Sequence, residues 1–319
     1  MRAAASRHSN VGVQDDRPPI STAEPLDTLV DRRAALLAEG DDRGERASAE
    51  LDQLTDRISS ALVAATPVVR RVTLADEPAL LDLLVEREPV VPFRTGDDRA
   101  VDLANRLAED RRCFVLEHPL LPGRPMNVVW VALCQGRPDA LPPLLDPAAP
   151  TLPAASADTA AFYSIWNVEP GLVGIRGGRS LLKGVLAQLH QELPALTEFL
   201  TLSPVPGFRR WLETTRDLDA IDGASAEQVL ASCARYLTSL DEERGRPIDP
   251  VARFHLGNGA RLVHLNAGAD PSPRGLRRSL GVMANYRYEP EDRAANRTSL
   301  AAGEPAVGPA VRDLLQPPS

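Results

Sequence analysis

The sequence predicts a mixed α+β fold, and three observations carry that reading. Apolar residues recur at helical spacing in several segments, as in Leu26, Leu29, Val30, Leu36 and Leu37. Short β-rich runs bounded by turn residues interrupt those segments, residues 127–134 being the clearest. One such run, 160–166, passes through a glycine-rich loop into an amphipathic helix, which is how a strand crosses over to another part of a sheet.

In chain order, residues 1–21 are polar, close on Pro18-Pro19 and are expected to form a disordered tail. Residues 22–66 read as a short helical segment. Its second stripe is Leu51, Leu54, Ile58 and Leu62, with a turn at Gly40-Asp41-Asp42. Two helices this short cannot bury a stripe alone, so they are expected to pack on the next domain or on a second subunit. Residues 67–319 form the main domain. Helices over 78–88 and 98–110 precede strands over 113–117, 127–134 and 160–166. The turn-rich segment 118–123 joins the first two strands as a hairpin, and the Pro- and Ala-rich segment 139–155 is a surface loop. The crossover helix runs to about residue 193, and a strand over 199–203 ends at Pro204 and Pro206. Helices over 207–215, 225–243 and 250–256 follow, the last stopped by Gly257-Asn258-Gly259. Strands over 261–266 and 281–288 and a helix near 307–315 complete the chain.

Composition narrows the classes of function. The chain has 319 residues, 43% hydrophobic and 25% charged, enough to bury a sizeable core. Its net charge of −8 argues against a general nucleic-acid binder. No apolar stretch approaches the ~20 residues of a membrane helix, and the N-terminus has no apolar signal region, so a cytoplasmic location is expected. Cys113, Cys134 and Cys233 fit neither a disulfide framework nor a zinc spacing and read as reduced thiols.

The loop Gly171-Leu172-Val173-Gly174-Ile175-Arg176-Gly177-Gly178-Arg179-Ser180 has the features of a phosphate cradle. Its glycines allow close approach of backbone, and the following helix offers free N–H groups and the positive end of its dipole. Residues 170–191 contain no acid but include Arg176, Arg179 and Lys183, the single lysine among 36 basic residues. The loop matches neither the Walker pattern nor the Rossmann fingerprint, so spacing alone leaves connector and cradle both open. Arg209-Arg210 and the cluster Arg274, Arg277, Arg278 read as solvated faces. Of five histidines, His255 stands out because it precedes a helix-ending Gly-Asn-Gly, where a side chain faces a cleft. Ser203 ends a buried strand just before two prolines. A rigidly held Ser and His suit acid/base or nucleophilic work, although spacing alone does not pair them.

Four separated motifs resemble the malonyl-CoA decarboxylase family. They are Phe162-Tyr163-Ser164-Ile165, Leu202-Ser203-Pro204-Val205-Pro206-Gly207-Phe208, Val251-Ala252-Arg253-Phe254-His255-Leu256-Gly257-Asn258-Gly259-Ala260 and Gly281-Val282-Met283-Ala284-Asn285-Tyr286-Arg287-Tyr288. The resemblance, which also takes in Arg111-Arg112-Cys113-Phe114, implies a GNAT-like fold that binds CoA across a splayed sheet. It implies Ser203 as proton acceptor and His255 as proton donor. It places the substrate on Val173, Gly174, Ile175, Arg176, Gly177, Gly178 and Arg179, with Lys183, Asn285 and Tyr286 beside it. Neither a metal nor an organic cofactor is expected, and malonyl-CoA is the implied substrate.

This chain departs from the family in three places. Its helical segment is shorter than the family's oligomerisation domain, which leaves a dimer as the expected assembly. Ala267 stands where relatives carry Trp; were that position to line the acyl pocket, methylmalonyl-CoA would also fit. Val173 and Arg176 replace a Gln and an acidic residue. Two further classes stay open: a GNAT-like decarboxylase/acyltransferase acting on carrier-protein thioesters in polyketide-type metabolism, and a non-catalytic acyl-CoA-binding regulator.

Overall fold

The computed structural model describes residues 24–40, 45–175, 178–215, 223–241 and 243–316. The expected tail at 1–21 lies outside them. Helices α1 (Leu26–Ala38) and α2 (Glu45–Val63) come first and pack against each other. Their stripes are buried within the same chain: Leu26, Leu29, Val30, Leu36, Leu54 and Ile58 join a core shared with the sheet, and α1 lies on the turn at Pro170–Leu172.

Eight strands build one sheet: β1 (Val68–Val72), β2 (Arg111–Glu117), β3 (Asn127–Cys134), β4 (Thr159–Asn167), β5 (Glu198–Thr201), β6 (Ser203–Pro204), β7 (Arg261–Asn266) and β8 (Met283–Arg287). The order is β1-β2-β3-β4-β5-β8-β6, with β7 on β8. Among the described residues, β4 and β5 form the single parallel pair. Successive strand residues face opposite sides, and both sides are covered. Phe114, Leu116, Val129, Val131 and Phe162 enter one core, while Cys113, Val115, Val128, Trp130 and Tyr163 enter the other. Double coverage explains why β2 and β3 read as nearly continuous apolar runs.

The remaining helices are α3 (Pro78–Arg87), α4 (Asp98–Arg106), α5 (Pro142–Leu145), α6 (Gly178–Glu192), α7 (Phe208–Thr215), α8 (Ala226–Thr238), α9 (Pro250–Gly257), α10 (Pro273–Ser279), α11 (Arg293–Ala301) and α12 (Pro309–Leu315). This is the mixed, helix-flanked sheet that the resemblance implied.

Three differences from the sequence reading have physical causes. The strand expected over 199–203 is two pieces. Leu202 donates its last bond to Phe162 O of β4 at 2.9 Å, and Ser203 and Pro204 then pair only with β8. Strand β1 carries Arg70 and Arg71, which hide it from an apolar-run search. Arg70 pairs with Glu117 and Asp76, so the charges of this edge strand are neutralised locally. Helices α10 and α11 are built from polar, Arg-rich segments whose apolar content is too low for a stripe to be read.

Candidate active site

The divergence of β4 from β6 opens a wedge in the sheet. Among the described residues no strand pairs with the β5 side of β4 beyond Phe162↔Thr201, so its edge from Tyr163 to Asn167 is left without a strand partner there. A register shift against Trp130/Val131 leaves Tyr163 as a bulge there. A cavity of about 180 Å³ fills the wedge between Tyr163, Ser164 and Ile165 on one side and Ser203, Pro204, Phe254 and His255 on the other.

His255 is placed by helix α9. Buried Asp249 caps its start, accepting from Val251 N at 2.9 Å and Ala252 N at 2.8 Å. Tyr236 Oη donates to the same carboxylate at 3.1 Å, and burial raises the Asp249 pKa despite these bonds. At the other end Gly259 turns the chain with φ +85°, where a Cβ would lie 2.4 Å from Arg293 O. The helix is therefore fixed at both ends, and His255 projects from its last turn into the wedge.

The polar atoms of the site form a chain of hydrogen bonds. Ser203 Oγ lies 3.0 Å from His255 Nε2 and donates to Thr201 Oγ1 at 2.9 Å. Tyr286 N also donates to Thr201 Oγ1, at 3.1 Å. On the far side of the ring, His255 Nδ1 lies 2.7 Å from Tyr288 Oη, which has no other hydrogen-bond partner among the described residues. A buried hydroxyl needs an acceptor, so Tyr288 donates to Nδ1 and the hydrogen of the ring sits on Nε2, directed at Ser203. Burial drops the His255 pKa to about 3, so the imidazole is neutral at physiological pH. Tyr286 stacks on the ring with centroids 4.6 Å apart and planes 23° from parallel.

A strap over residues 88–94 closes the Ser203 end of the wedge. Buried Glu88 accepts from Val90 N at 2.8 Å, Val91 N at 3.0 Å, Ser164 Oγ at 2.8 Å and Trp166 Nε1 at 2.8 Å. Its other end is held by Arg106, which donates to Val91 O at 2.8 Å and is paired with Asp102 in the core. Val90 consequently stands as a fixed wall: it lines the catalytic cavity and also a groove of about 1230 Å³ that carries Arg94, Arg274 and Arg277.

In the other direction the wedge continues along β4. A channel of about 410 Å³ runs past Ile165, Trp166 and Asn167 to Gly174 and Ile175, with Arg253 and Phe254 of α9 on its far wall. The glycine-rich loop thus lies at the far end of the space that begins at Ser203 and His255.

The expected site residues divide accordingly. Ser203 and His255 meet, and Val173, Gly174 and Ile175 lie at the loop end. Arg176 and Gly177 lie outside the described residues, as do the side chains at Gly178 and Arg179, whose backbone begins α6. Lys183 is exposed on α6 and lines none of these cavities. Asn285 does not face the wedge: it is buried, donates to Thr201 O at 2.7 Å and accepts from Asn266 Nδ2 at 2.7 Å. Tyr286 likewise lies behind the histidine rather than against the space. Ala267 is exposed in the turn after β7, away from the catalytic cavity, so its small size does not enlarge that cavity. His118 is a satisfied buried residue, with Nε2 bonded to Leu62 O and Ala65 O and Nδ1 accepting from Leu120 N. Sequence reasoning missed Tyr288 and Thr201 as partners of the pair. A signal was present, since Tyr286 and Tyr288 stand two apart in a strand and must share a face, in a chain with 4 tyrosines.

Comparison with known proteins gives the family. Residues 68–231 and 222–319 match the malonyl-CoA decarboxylase C-terminal domain. The mitochondrial malonyl-CoA decarboxylases of Anser anser anser and Mus musculus are each 30% identical, over 84% and 85% of this chain. The chain spans 60% and 62% of the lengths of those two relatives. The crystal structure of malonyl-CoA decarboxylase from Rhodopseudomonas palustris is similar with a TM-score of 0.81 and 36% identity, covering 90% of this chain and 75% of that one. The corresponding structure from Agrobacterium vitis gives 0.82 and 35%, with 92% and 77% covered. This chain belongs to the malonyl-CoA decarboxylase family.

Proposed function

We propose that the protein decarboxylates malonyl-CoA to acetyl-CoA and CO2 in the wedge between β4 and β6. The observation that carries this is the contact of Ser203 Oγ with His255 Nε2 at 3.0 Å, buried at the end of a channel that leads from a glycine-rich loop. The acyl group lies in the cavity of about 180 Å³, a space suited to a short acyl chain and not to a long one.

The chemistry is one bond broken and one formed. The C–C bond to the carboxylate breaks, CO2 leaves, and the electron pair passes into the thioester as an enolate. Backbone N–H groups on the open β4 edge near Tyr163 hold the oxygen on which that charge develops. Apolar Val90, Pro204 and Phe254 surround the carboxylate and keep water away. Ser203 turns its hydroxyl hydrogen from Thr201 to the departing carboxylate and holds it there. His255 then transfers its Nε2 hydrogen to carbon, while the Tyr288 hydrogen follows to Nδ1 and keeps the ring neutral. A proton from water then enters at Nε2 as the Nδ1 hydrogen returns to Tyr288, which restores the starting tautomer. As written, these steps need neither a metal nor an organic cofactor.

Incubating the protein with malonyl-CoA and with methylmalonyl-CoA, and following both products by mass, tests the reading. Acetyl-CoA and CO2 should form from the first; intact malonyl-CoA after many enzyme equivalents of time would refute it. The groove beyond Val90, where Arg94, Arg274 and Arg277 outnumber Asp146 and Asp270, favours a second reading in which a carrier-protein thioester is the substrate. Faster turnover of a malonyl carrier protein than of malonyl-CoA would select it.

A further inference from the structure

The catalytic reading leaves α1 and α2 without a task, yet both are built into the ligand loop. Arg33 of α1 is buried, and its guanidinium bonds backbone and hydroxyl oxygens. Nη1 donates to Gly171 O at 2.7 Å and Val173 O at 2.9 Å, and Nε donates to Thr55 Oγ1 of α2 at 2.9 Å. Gly171 lies so close to α1 that a Cβ would fall 1.9 Å from Val30 O. A second tie runs through Arg124, which pairs with Asp31 of α1 at 2.7 Å and with Glu169. Helix α1 thus grips residues 169–173 from two directions just before they lead into α6.

Helix α2 bounds the space beyond. A cleft of about 490 Å³ lies between Ser59 and Val63 of α2 and the segment Gly174, Ile175 and Ser180. Gly174 and Ile175 also line the channel that shares Ile165 and Phe254 with the cavity at Ser203 and His255. A long thioester with its acyl group at the catalytic pair follows β4, crosses the loop there and meets α2. Val63 of α2 stands exposed at this cleft, at 85%, and Val173, at 51%, stands exposed one residue before Gly174. The flat faces of a purine suit such valines, and the hydroxyls of Ser59 and Ser180 suit a ribose phosphate.

We propose that α1 and α2 form the nucleotide half of the ligand site. The cleft under α2 takes the purine nucleotide end of the thioester, and Arg33 is the positioning residue that holds the loop against it. This rests on the acyl-CoA reading above. It gives the helix pair a role in ligand affinity, in addition to any role in assembly.

Malonyl-pantetheine, which carries the thioester without the nucleotide, separates the two ends. Ser59→Trp fills the cleft from a half-buried position. It should raise KM for malonyl-CoA at least tenfold with kcat kept, while kcat/KM for malonyl-pantetheine stays within twofold of wild type. Arg33→Gln should show the same split, with Arg33→Lys recovering part of it. If Arg33→Gln melts well below wild type, Ser59→Trp carries the test. An unchanged KM for malonyl-CoA in Ser59→Trp, or an equal loss with both thioesters, overturns the proposal. Calorimetric titration with CoA itself keeps this apart from the decarboxylase reading. A wild type that binds CoA but releases no CO2 defeats that reading, whereas a tenfold weaker CoA affinity in Ser59→Trp still supports the nucleotide site.

Discussion

The two ends of the wedge are built on opposite plans. At the acyl end, Thr201, Ser203, His255 and Tyr288 are buried and linked by hydrogen bonds of 2.7 to 3.0 Å, with Tyr286 stacked on the ring. At the loop end, Val173 and Gly174 are exposed, the nearby Lys183 points away, and order comes from outside, through Arg33 and Arg124. The difference teaches how labour is divided. Low dielectric and fixed partners make a small number of groups chemically competent at one end. At the other, a backbone surface held by neighbouring helices serves binding, where contacts are many and each is weak.

Variants at each end test that division. Ser203→Ala should lower kcat on the order of 10²-fold, because the group that orients the departing carboxylate beside His255 is lost. A kcat within twofold of wild type would remove Ser203 from the chemistry. Tyr288→Phe should lower kcat roughly tenfold by freeing the tautomer, without a change in KM; steady-state kinetics decide it. Val90→Gly joins the catalytic cavity to the larger groove, and the ratio of kcat/KM for methylmalonyl-CoA over malonyl-CoA should rise about tenfold. No shift in that ratio would show that the strap does not limit acyl size.

The smallest effect concerns pH. Burial disfavours the imidazolium, so the native ring stays neutral down to about pH 3 and kcat should show no His255 limb near pH 6.5. The unfolded chain, with an ordinary histidine, takes up the proton that the native ring refuses. Stability contributed at this site is therefore present above roughly pH 6.5 and falls as pH drops toward about 3. Melting of wild type and His255→Gln across that window measures it, and parallel curves would contradict the assignment.

The legibility of the sequence follows the same divide. Strands such as β3 and β7 were readable because their apolar content is local, and the glycine-rich loop was readable because it is contiguous. Strand β1 was not, since Arg70 is neutralised by Glu117 and Asp76 and Arg71 by Glu192. Ser203 and His255 could be paired only through the resemblance, because their contact depends on α9 packing across the wedge. Asn285 and Tyr286 are expected beside the substrate, whereas here Asn285 bonds Asn266 and Thr201 O on one face of β8 and Tyr286 stacks on His255 on the other. Tyr288 and Glu88 escaped for the same reason: His255 lies 33 residues from Tyr288, and Ser164 lies 76 residues from Glu88. Long-range contacts that orient a side chain leave little trace in local pattern.

One preparation can test the centre of the account. His255→Ala, assayed for CO2 release from malonyl-CoA and titrated with CoA in the same buffer, should lose about 10³-fold in release while its CoA affinity stays within twofold of wild type. Release at the wild-type rate, or loss of CoA binding in step with it, would contradict the assignment of proton transfer to this buried end.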